Sequence, residues 1–187
     1  DLFGASLRAA ALGKPRPEDG YHGEYIEDLA KEIVKSNPKF TELAESESIS
    51  AFTQAGYKLQ LDQQRKVLDN FGTHFDTWFS ERSLYENDFF NHSLDKLKKQ
   101  GHVYEQEGAI WLRTTDFGDD KDRVMIKSDG TFAYFASDSA YYVSKKERGF
   151  NLCIYMLGAD HHGYVGRVKA LAACAGDDPE KDVEVLI

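Results

Sequence analysis

A short polar motif, Asp160-His161-His162, directly follows the apolar run Leu152–Leu157. Such a run is typical of a strand buried in a parallel sheet, and ligands of α/β proteins collect beyond the carboxyl ends of those strands. Two imidazoles and a carboxylate placed there can contact a substrate, hold a metal ion or cap a helix. Adjacent histidines rarely reach one ion together, and no third His or Cys lies nearby in the sequence, so substrate contact is favoured over metal binding.

Gly158 and Gly163 flank this motif. Glycines let the backbone approach a ligand closely. The stretch from Gly158 to Gly163 is therefore predicted to be a loop that forms part of a binding site.

Tyr134 and Asp138 form a second pair of candidate residues, four positions apart. The pattern predicts a short strand over residues 132–135 and a helix that begins near Asp138. A carboxylate and a phenol at the edge of a sheet can bind a planar cation, and a bidentate carboxylate pair selects a guanidinium over an ammonium group. The structural alternatives are a helix N-cap for Asp138 and a core aromatic for Tyr134.

An acidic run contains Asp116, Asp119, Asp120 and Asp122. An EF-hand loop that starts at Asp116 needs Glu at its twelfth position, where this sequence has Lys127. A solvated loop between two strands is therefore the favoured interpretation.

A basic patch contains Lys145, Lys146 and Arg148 within a helical pattern. A solvated helix face is favoured there, and phosphate contact is the alternative. The sequence has no phosphate-binding GxxxxGK[ST] loop, no GxGxxG and no GxSxG motif.

Hydrophobic periodicity predicts the elements that position these residues. Helices are expected at residues 1–12, 24–36, about 40–54, 57–70, 91–100, 138–148 and 165–175, and strands at 102–107, 109–113, 123–127, 132–135, 152–157 and 182–187. The strands 102–107 and 109–113 are expected to pair as a hairpin. The alternation of strands and helices over the last sixty residues or so predicts a doubly wound α/β sheet.

The composition fits a folded domain: of 187 residues, 41% are hydrophobic and 29% are charged. No apolar run approaches the roughly 18 residues of a membrane span, and no secretory signal opens the sequence. Cys153 and Cys174 lie in apolar patterns without metal-binding spacing, which indicates reduced thiols in a cytoplasmic protein.

The net charge of −9 argues against this chain as the main binding surface for a polyanion. Because Met is absent at residue 1 and the last strand stops in mid-run, we expect a piece of a longer protein.

Several blocks of the sequence resemble bacterial arginyl-tRNA synthetases, and they span most of residues 19–176 in the family's order. They are residues 19–26 (DGYHGEYI), 75–81 (FDTWFSE) with 83–85 (SLY), 101–105 (GHVYE) with 108–112 (GAIWL), 128–131 (SDGT) through Tyr134, Asp138 and 140–141 (AY), and 154–164 (IYMLGADHHGY). Each block alone is weak, but together they are specific.

The resemblance implies a class I synthetase, which activates arginine with ATP and transfers it to the 3′ end of its tRNA. It implies that Tyr134 and Asp138 contact the arginine side chain, in agreement with the guanidinium argument. The position matched by His161 lies beside the α-amino group of the amino acid in the family and is Gln in some relatives. Gly158, Asp160 and His162 are then candidates for the ATP or substrate pocket.

The resemblance also implies an α/β fold, part of a Rossmann-like catalytic domain with a large α+β insertion. Residues 1–19 would end the first half of the nucleotide-binding fold, 20–127 would form the insertion, and 128–187 would belong to the second half. The HIGH and KMSKS motifs are absent from this sequence, so its catalytic residues stay unknown and the isolated chain is expected to be inactive.

The expected partners are arginine, ATP and tRNA, with Mg²⁺ accompanying ATP, no metal bound by this chain, no membrane and no obligate protein partner. The alternative function is a non-catalytic arginine-binding or RNA-associated module on the same fold. An unrelated α/β enzyme that uses Asp160 and His161 with a metal is a third possibility.

Overall fold

The computed structural model describes residues 2–86 and 88–187. The chain folds into two compact units, which divide between Thr77 and Trp78. This division reflects packing alone, and the segment boundaries implied by the family resemblance stay a prediction.

The first unit is helical. Its elements are α1 (Leu2–Ala11), α2 (Glu24–Ser36), a 3-10 helix (Pro38–Thr41) and α3 (Glu45–Asn70). Apolar residues of the three α-helices recur at helical spacing and form a buried core, which contains Leu7, Ile26, Leu29, Ala30, Ile33 and Phe52. The predicted helix at 24–36 is confirmed to the residue.

The two helices predicted at 40–54 and 57–70 are wrong, because the chain forms one 26-residue helix, α3, through this region. Gly56 lies in its interior and is buried. A Cβ atom at Gly56 would lie 2.4 Å from Leu7 Cδ1 and 2.9 Å from Phe3 Cε1. The glycine therefore serves the close approach of α1 to α3 and does not interrupt the helix.

The second unit begins with α4 (Arg82–Glu86) and α5 (Phe89–Lys99), followed by three antiparallel strands. These strands are β1 (Val103–Gln106), β2 (Ala109–Leu112) and β3 (Arg123–Ile126), with a 3-10 helix (Thr114–Phe117) between β2 and β3. The predicted hairpin is confirmed: Gln106 pairs with Ala109, and the two loop residues Glu107 and Gly108 have φ of 53° and 73°. Positive φ at both positions is typical of a type I′ turn, whose twist matches that of the strands.

The remainder of the second unit alternates helix and strand. It contains α6 (Tyr134–Glu147), β4 (Cys153–Met156), a 3-10 helix (Ala159–Tyr164), α7 (Val165–Cys174) and β5 (Val183–Leu186). Strands β4 and β5 pair in parallel, with Cys153 opposite Val183 and Met156 opposite Leu186, and α7 lies between them in the sequence. A parallel pair joined through a helix confirms the predicted α/β class.

The strand predicted over residues 132–135 is wrong. Phe132 makes a single bridge to Ile126, and α6 begins at Tyr134. Four residues are too few for alternation to decide between strand and helix, and the buried residues Phe135, Ser139 and Tyr142 share one helical face.

The core of the second unit joins its helices to both sheets. Its members include Leu84, Phe90, Leu94, Leu97, Leu112, Met125, Ala140, Tyr142, Cys153, Val168, Leu171, Cys174 and Val183. Cys153 and Cys174 are buried free thiols. Among the described residues, no helix combines the length and apolar character that crossing a bilayer requires.

Candidate functional site

Asp138 lies in the second turn of α6 with its side chain half-buried. Its Oδ2 atom is buried and makes no hydrogen bond to any described residue. The N-cap of α6 is Ala133, so the interpretation of Asp138 as a helix cap is wrong. Asp138 is thus a carboxylate inside a helix that lacks a full set of partners, which is unusual for a buried polar atom.

The charge on Asp138 is set by opposing effects. Burial raises the pKa of the carboxyl group; hydrogen bonding by Tyr164 and the positive charges of Arg167 and Lys145 lower it, whereas Glu81 raises it. The net shift is upward. A cation placed against Oδ2 would therefore stabilise the ionised form.

Tyr134 is the first residue of α6, and 83% of its surface is exposed. The alternative of a core aromatic is therefore wrong. Because residues four apart lie on one face of a helix, Tyr134 and Asp138 share a face of α6. The exposed phenol precedes the half-buried carboxylate by one turn.

Asp160 and His161 lie in the 3-10 helix that follows β4, where the sequence predicted a loop. The His161 backbone N–H donates to the Gly158 carbonyl oxygen at 2.9 Å, and His161 Nε2 lies 3.5 Å from Asp160 Oδ2. Both side chains are largely exposed. A Cβ atom at Gly158 would lie 2.6 Å from Asp160 Oδ1, so the glycine leaves room for that carboxylate.

A cleft of about 630 Å³ opens beside Asp160 and His161. Its lining consists of Gly118, Asp119, Asp120, Asp160, His161, Gly163, Tyr164, Gly166 and Arg167. Gly158 and His162 do not belong to this lining, although both are exposed close by in the sequence.

Tyr164 and Arg167 connect this cleft with Asp138. Tyr164 lowers the pKa of the Asp138 carboxyl group, and the Arg167 guanidinium carbon lies 5.4 Å from the centre of the Tyr164 ring. Arg167 Nε is buried and has no hydrogen-bond partner among the described residues. Asp138 and Tyr134 do not line the cleft of His161. Asp138 is linked to it through Tyr164 and Arg167, two residues to which sequence analysis assigned no role. Tyr164 and Arg167 are three positions apart in the sequence, and this i, i+3 spacing was the one sequence feature that indicated a contact between them.

Asp119 and Arg123 stabilise the loop on the opposite wall of the cleft. Arg123 Nε and Nη2 donate to the two Asp119 carboxylate oxygens at 2.7 and 2.6 Å, and Arg123 also pairs with Asp120. The Asp119 side chain is only 4% exposed, so the solvated loop predicted for the acidic run is wrong at this residue. Burial opposes its ionisation, but the hydrogen bonds led by Arg123 prevail and lower its pKa to about 2.

The predicted solvated basic patch is wrong for its two lysines. Lys145 Nζ lies between the rings of Tyr141 and Tyr155, 4.1 and 4.0 Å from their centres. The Lys146 side chain is 14% exposed, and its Nζ lies 3.3 Å from Asp182 Oδ1.

No group of three or more His, Cys, Asp or Glu side chains in the described part of the chain could hold a metal ion. What the site does offer is a buried carboxylate oxygen without a partner among the described residues, which suits a planar cation, and a polar cleft for the rest of a small ligand.

Comparison with known proteins identifies the family of the chain. Residues 23–186 match the family model of the class I tRNA synthetase catalytic domain for arginine, "tRNA synthetases class I (R), catalytic domain". The architecture is thus that of a class I aminoacyl-tRNA synthetase catalytic domain.

The curated proteins that the chain resembles include arginine–tRNA ligases. The arginine–tRNA ligase of Renibacterium salmoninarum is 54% identical over 185 residues (99% of this chain and 34% of that protein). The enzyme of Frankia alni is 50% identical over 187 residues, which cover 100% of this chain and 34% of that protein. The chain belongs to the arginyl-tRNA synthetase catalytic-domain family, and it spans about a third of the length of these curated relatives.

Solved structures show the same fold. A putative arginyl-tRNA synthetase from Campylobacter jejuni superposes with a TM-score of 0.88 and 38% identity, over 100% of this chain and 42% of that one. The arginyl-tRNA synthetase of Plasmodium falciparum superposes with a TM-score of 0.61 at 16% identity, over 100% of this chain and 33% of that one, and supports the fold alone.

Proposed function

We propose that this chain supplies the arginine-binding part of an arginyl-tRNA synthetase, an enzyme that activates arginine with ATP and transfers it to tRNA. One observation carries the proposal: in a chain of this family, Asp138 Oδ2 is buried without a hydrogen-bond partner among the described residues, and the residues that act on its charge include Tyr164 and Arg167, which line the cleft with His161. A substrate guanidinium supplies the donors and the charge that this oxygen lacks.

The residues have separate proposed roles. Asp138 accepts hydrogen bonds from the guanidinium group, and Tyr134, one turn earlier on the same face of α6, lies against that planar group. His161 contacts the backbone end of the amino acid. Binding at both ends orients the carboxylate of arginine, so that one of its oxygens attacks the α-phosphorus of ATP and pyrophosphate leaves.

The ATP and tRNA parts of the reaction involve further proposed contacts. Gly158, Asp160 and His162 remain proposed contacts for ATP or substrate. No described group of residues fits Mg²⁺, and we propose that the ion arrives with the phosphates of ATP. After activation, a hydroxyl group of the ribose at the 3′ end of tRNA attacks the arginyl carbonyl carbon and AMP leaves. The cytoplasm is the proposed compartment, and no obligate protein partner is proposed.

The test replaces Asp138 by Asn in an arginyl-tRNA synthetase that contains these residues. The amide keeps the shape but loses the charge, so a buried guanidinium is left unpaired and kcat/KM for arginine falls by about tenfold or more. Arginine-dependent exchange between ATP and pyrophosphate measures the effect.

The control is Asp95→Asn, which removes the same charge from the exposed face of α5. We expect it to leave kcat/KM unchanged. An unchanged kcat/KM in Asp138→Asn would show that Asp138 serves packing alone.

A further inference from the structure

Four side chains of the second unit stack in series close to Asp138. Lys145 Nζ lies 4.0 Å from the ring centre of Tyr155 and 4.1 Å from that of Tyr141. Tyr141 in turn stacks on Phe79, with ring centres 4.4 Å apart and 23° between the ring planes. We call Phe79, Tyr141, Lys145 and Tyr155 the cation–ring stack.

The cation–ring stack joins three separate parts of the chain. Tyr155 comes from β4, Tyr141 and Lys145 come from α6, and Phe79 precedes α4. An ammonium group between two rings attracts the negative face of both, and this attraction is stronger where water is excluded. Lys145 therefore fixes the spacing between the Tyr155 and Tyr141 rings.

The same lysine acts on Asp138. The two residues lie seven positions apart on α6, which places them on one face of the helix. The groups that interact electrostatically with the carboxylate are Lys145 from α6, Tyr164 from the 3-10 helix, Arg167 from α7, Tyr155 from β4 and Glu81 from the segment before α4. Burial lowers the pKa of Lys145, whereas the negative charge of Asp138 raises it and so favours the charged form of the lysine.

We propose that Lys145 is a positioning residue of the arginine site, which holds the Tyr155 and Tyr141 rings in place beside Asp138 without touching the substrate. The inference rests on the proposed function, because it concerns the same site. A bidentate carboxylate–guanidinium pair has strict geometry, so a shift of the surrounding rings weakens arginine binding even when Asp138 is intact.

The first test measures the affinity of the 187-residue chain for L-arginine by calorimetry, in Lys145→Met and Lys145→Arg. Methionine keeps the length and loses the charge, and we expect about tenfold weaker binding. The substituted side chain in Lys145→Arg keeps a cation between the rings, and we expect this variant to retain most of the wild-type affinity for L-arginine.

The control is Lys146→Met, which removes a neighbouring charge that pairs with Asp177 and Asp182. It is expected to leave arginine affinity unchanged. Wild-type affinity in Lys145→Met would overturn the proposal.

A second measurement separates failure of this inference from failure of the proposed function, because it needs no arginine. NMR of the ligand-free chain follows the Tyr155 ring signals and the titration of the Asp138 carboxyl carbon. In Lys145→Met we expect shifted ring signals and a higher pKa for Asp138, because a nearby positive charge is gone. Lys146→Met should change neither.

If the wild-type chain binds no arginine while these NMR changes occur, the arginine-binding proposal fails for the chain and the positioning by Lys145 stands. If Lys145→Met leaves the ring signals and the Asp138 titration as in the wild type, Lys145 does not position the site.

Discussion

Asp138 Oδ2 is a buried carboxylate oxygen without a partner among the described residues. Such an atom costs free energy unless a ligand or water satisfies it. Arg167 and Lys145 contribute positive charge nearby but no hydrogen bond to this oxygen. A guanidinium ligand would supply both a hydrogen bond and a positive charge, which makes Asp138 the central residue of the proposed site.

The Asp119–Arg123 pair makes the stability of the second unit depend on acid pH. Folding lowers the pKa of Asp119 from 3.8 to about 2. The ionised carboxylate therefore contributes its full share of the unfolding free energy at pH values above 3.8, and this contribution is lost as the pH falls to about 2. We expect Asp119→Asn to remove the corresponding decrease in unfolding free energy between pH 4 and pH 2. Urea denaturation followed by the fluorescence of Trp78 and Trp111, both in the second unit, measures it.

The control for this experiment is Asp95→Asn, which should keep the acid dependence of the wild type. A wild-type pH profile in Asp119→Asn would contradict the assigned role of the pair.

Asp138 and Tyr134 were proposed as arginine contacts from their types and their four-residue separation, and these roles stay a prediction. Lys145 was misassigned to a solvated face because its ring partner Tyr155 belongs to another element. Contacts between elements depend on packing, which no local pattern contains.

At the level of elements, local rules succeeded where a short segment determines its own conformation. The hairpin of β1 and β2 was predicted from two strand patterns on either side of Gly108, and in the structure the two-residue turn Glu107-Gly108 fixes its register. The interruption predicted in α3 failed because Gly56 is required for packing against α1, and tertiary contacts override helix propensity.

The contact between α1 and α3 leads to a prediction for Gly56→Ala. Alanine favours helix by about 1 kcal/mol, but its Cβ would overlap Leu7, which is fully buried. Overpacking costs about 1–3 kcal/mol, so we expect net destabilisation. Hydrogen exchange of the α1 and α3 amides measures it.

The matched control is Ser50→Ala, at an exposed position of the same helix. It should slow exchange slightly or leave it unchanged. Slower exchange in Gly56→Ala would refute the close-approach role of the glycine.

For the whole molecule, the α/β class and the family were predictable because several blocks occur in the family's order along most of the chain. The division into two compact units at Thr77 was not predicted. It depends on which helices pack together, and composition does not change at that point.

The 187 residues contain neither a HIGH nor a KMSKS motif. We therefore expect the chain alone to form no arginyl-adenylate, since the family uses these motifs to hold ATP. Exchange between ATP and pyrophosphate, run beside a longer synthetase that has both motifs, measures this. Arginine-dependent exchange by the chain alone would contradict the expectation.

The most direct test of the central proposal is a crystal structure of a synthetase that contains these residues, with L-arginine bound. We predict that the guanidinium group lies within hydrogen-bond distance of Asp138 Oδ2. A guanidinium bound elsewhere, with Oδ2 still unbonded, would contradict the proposed site.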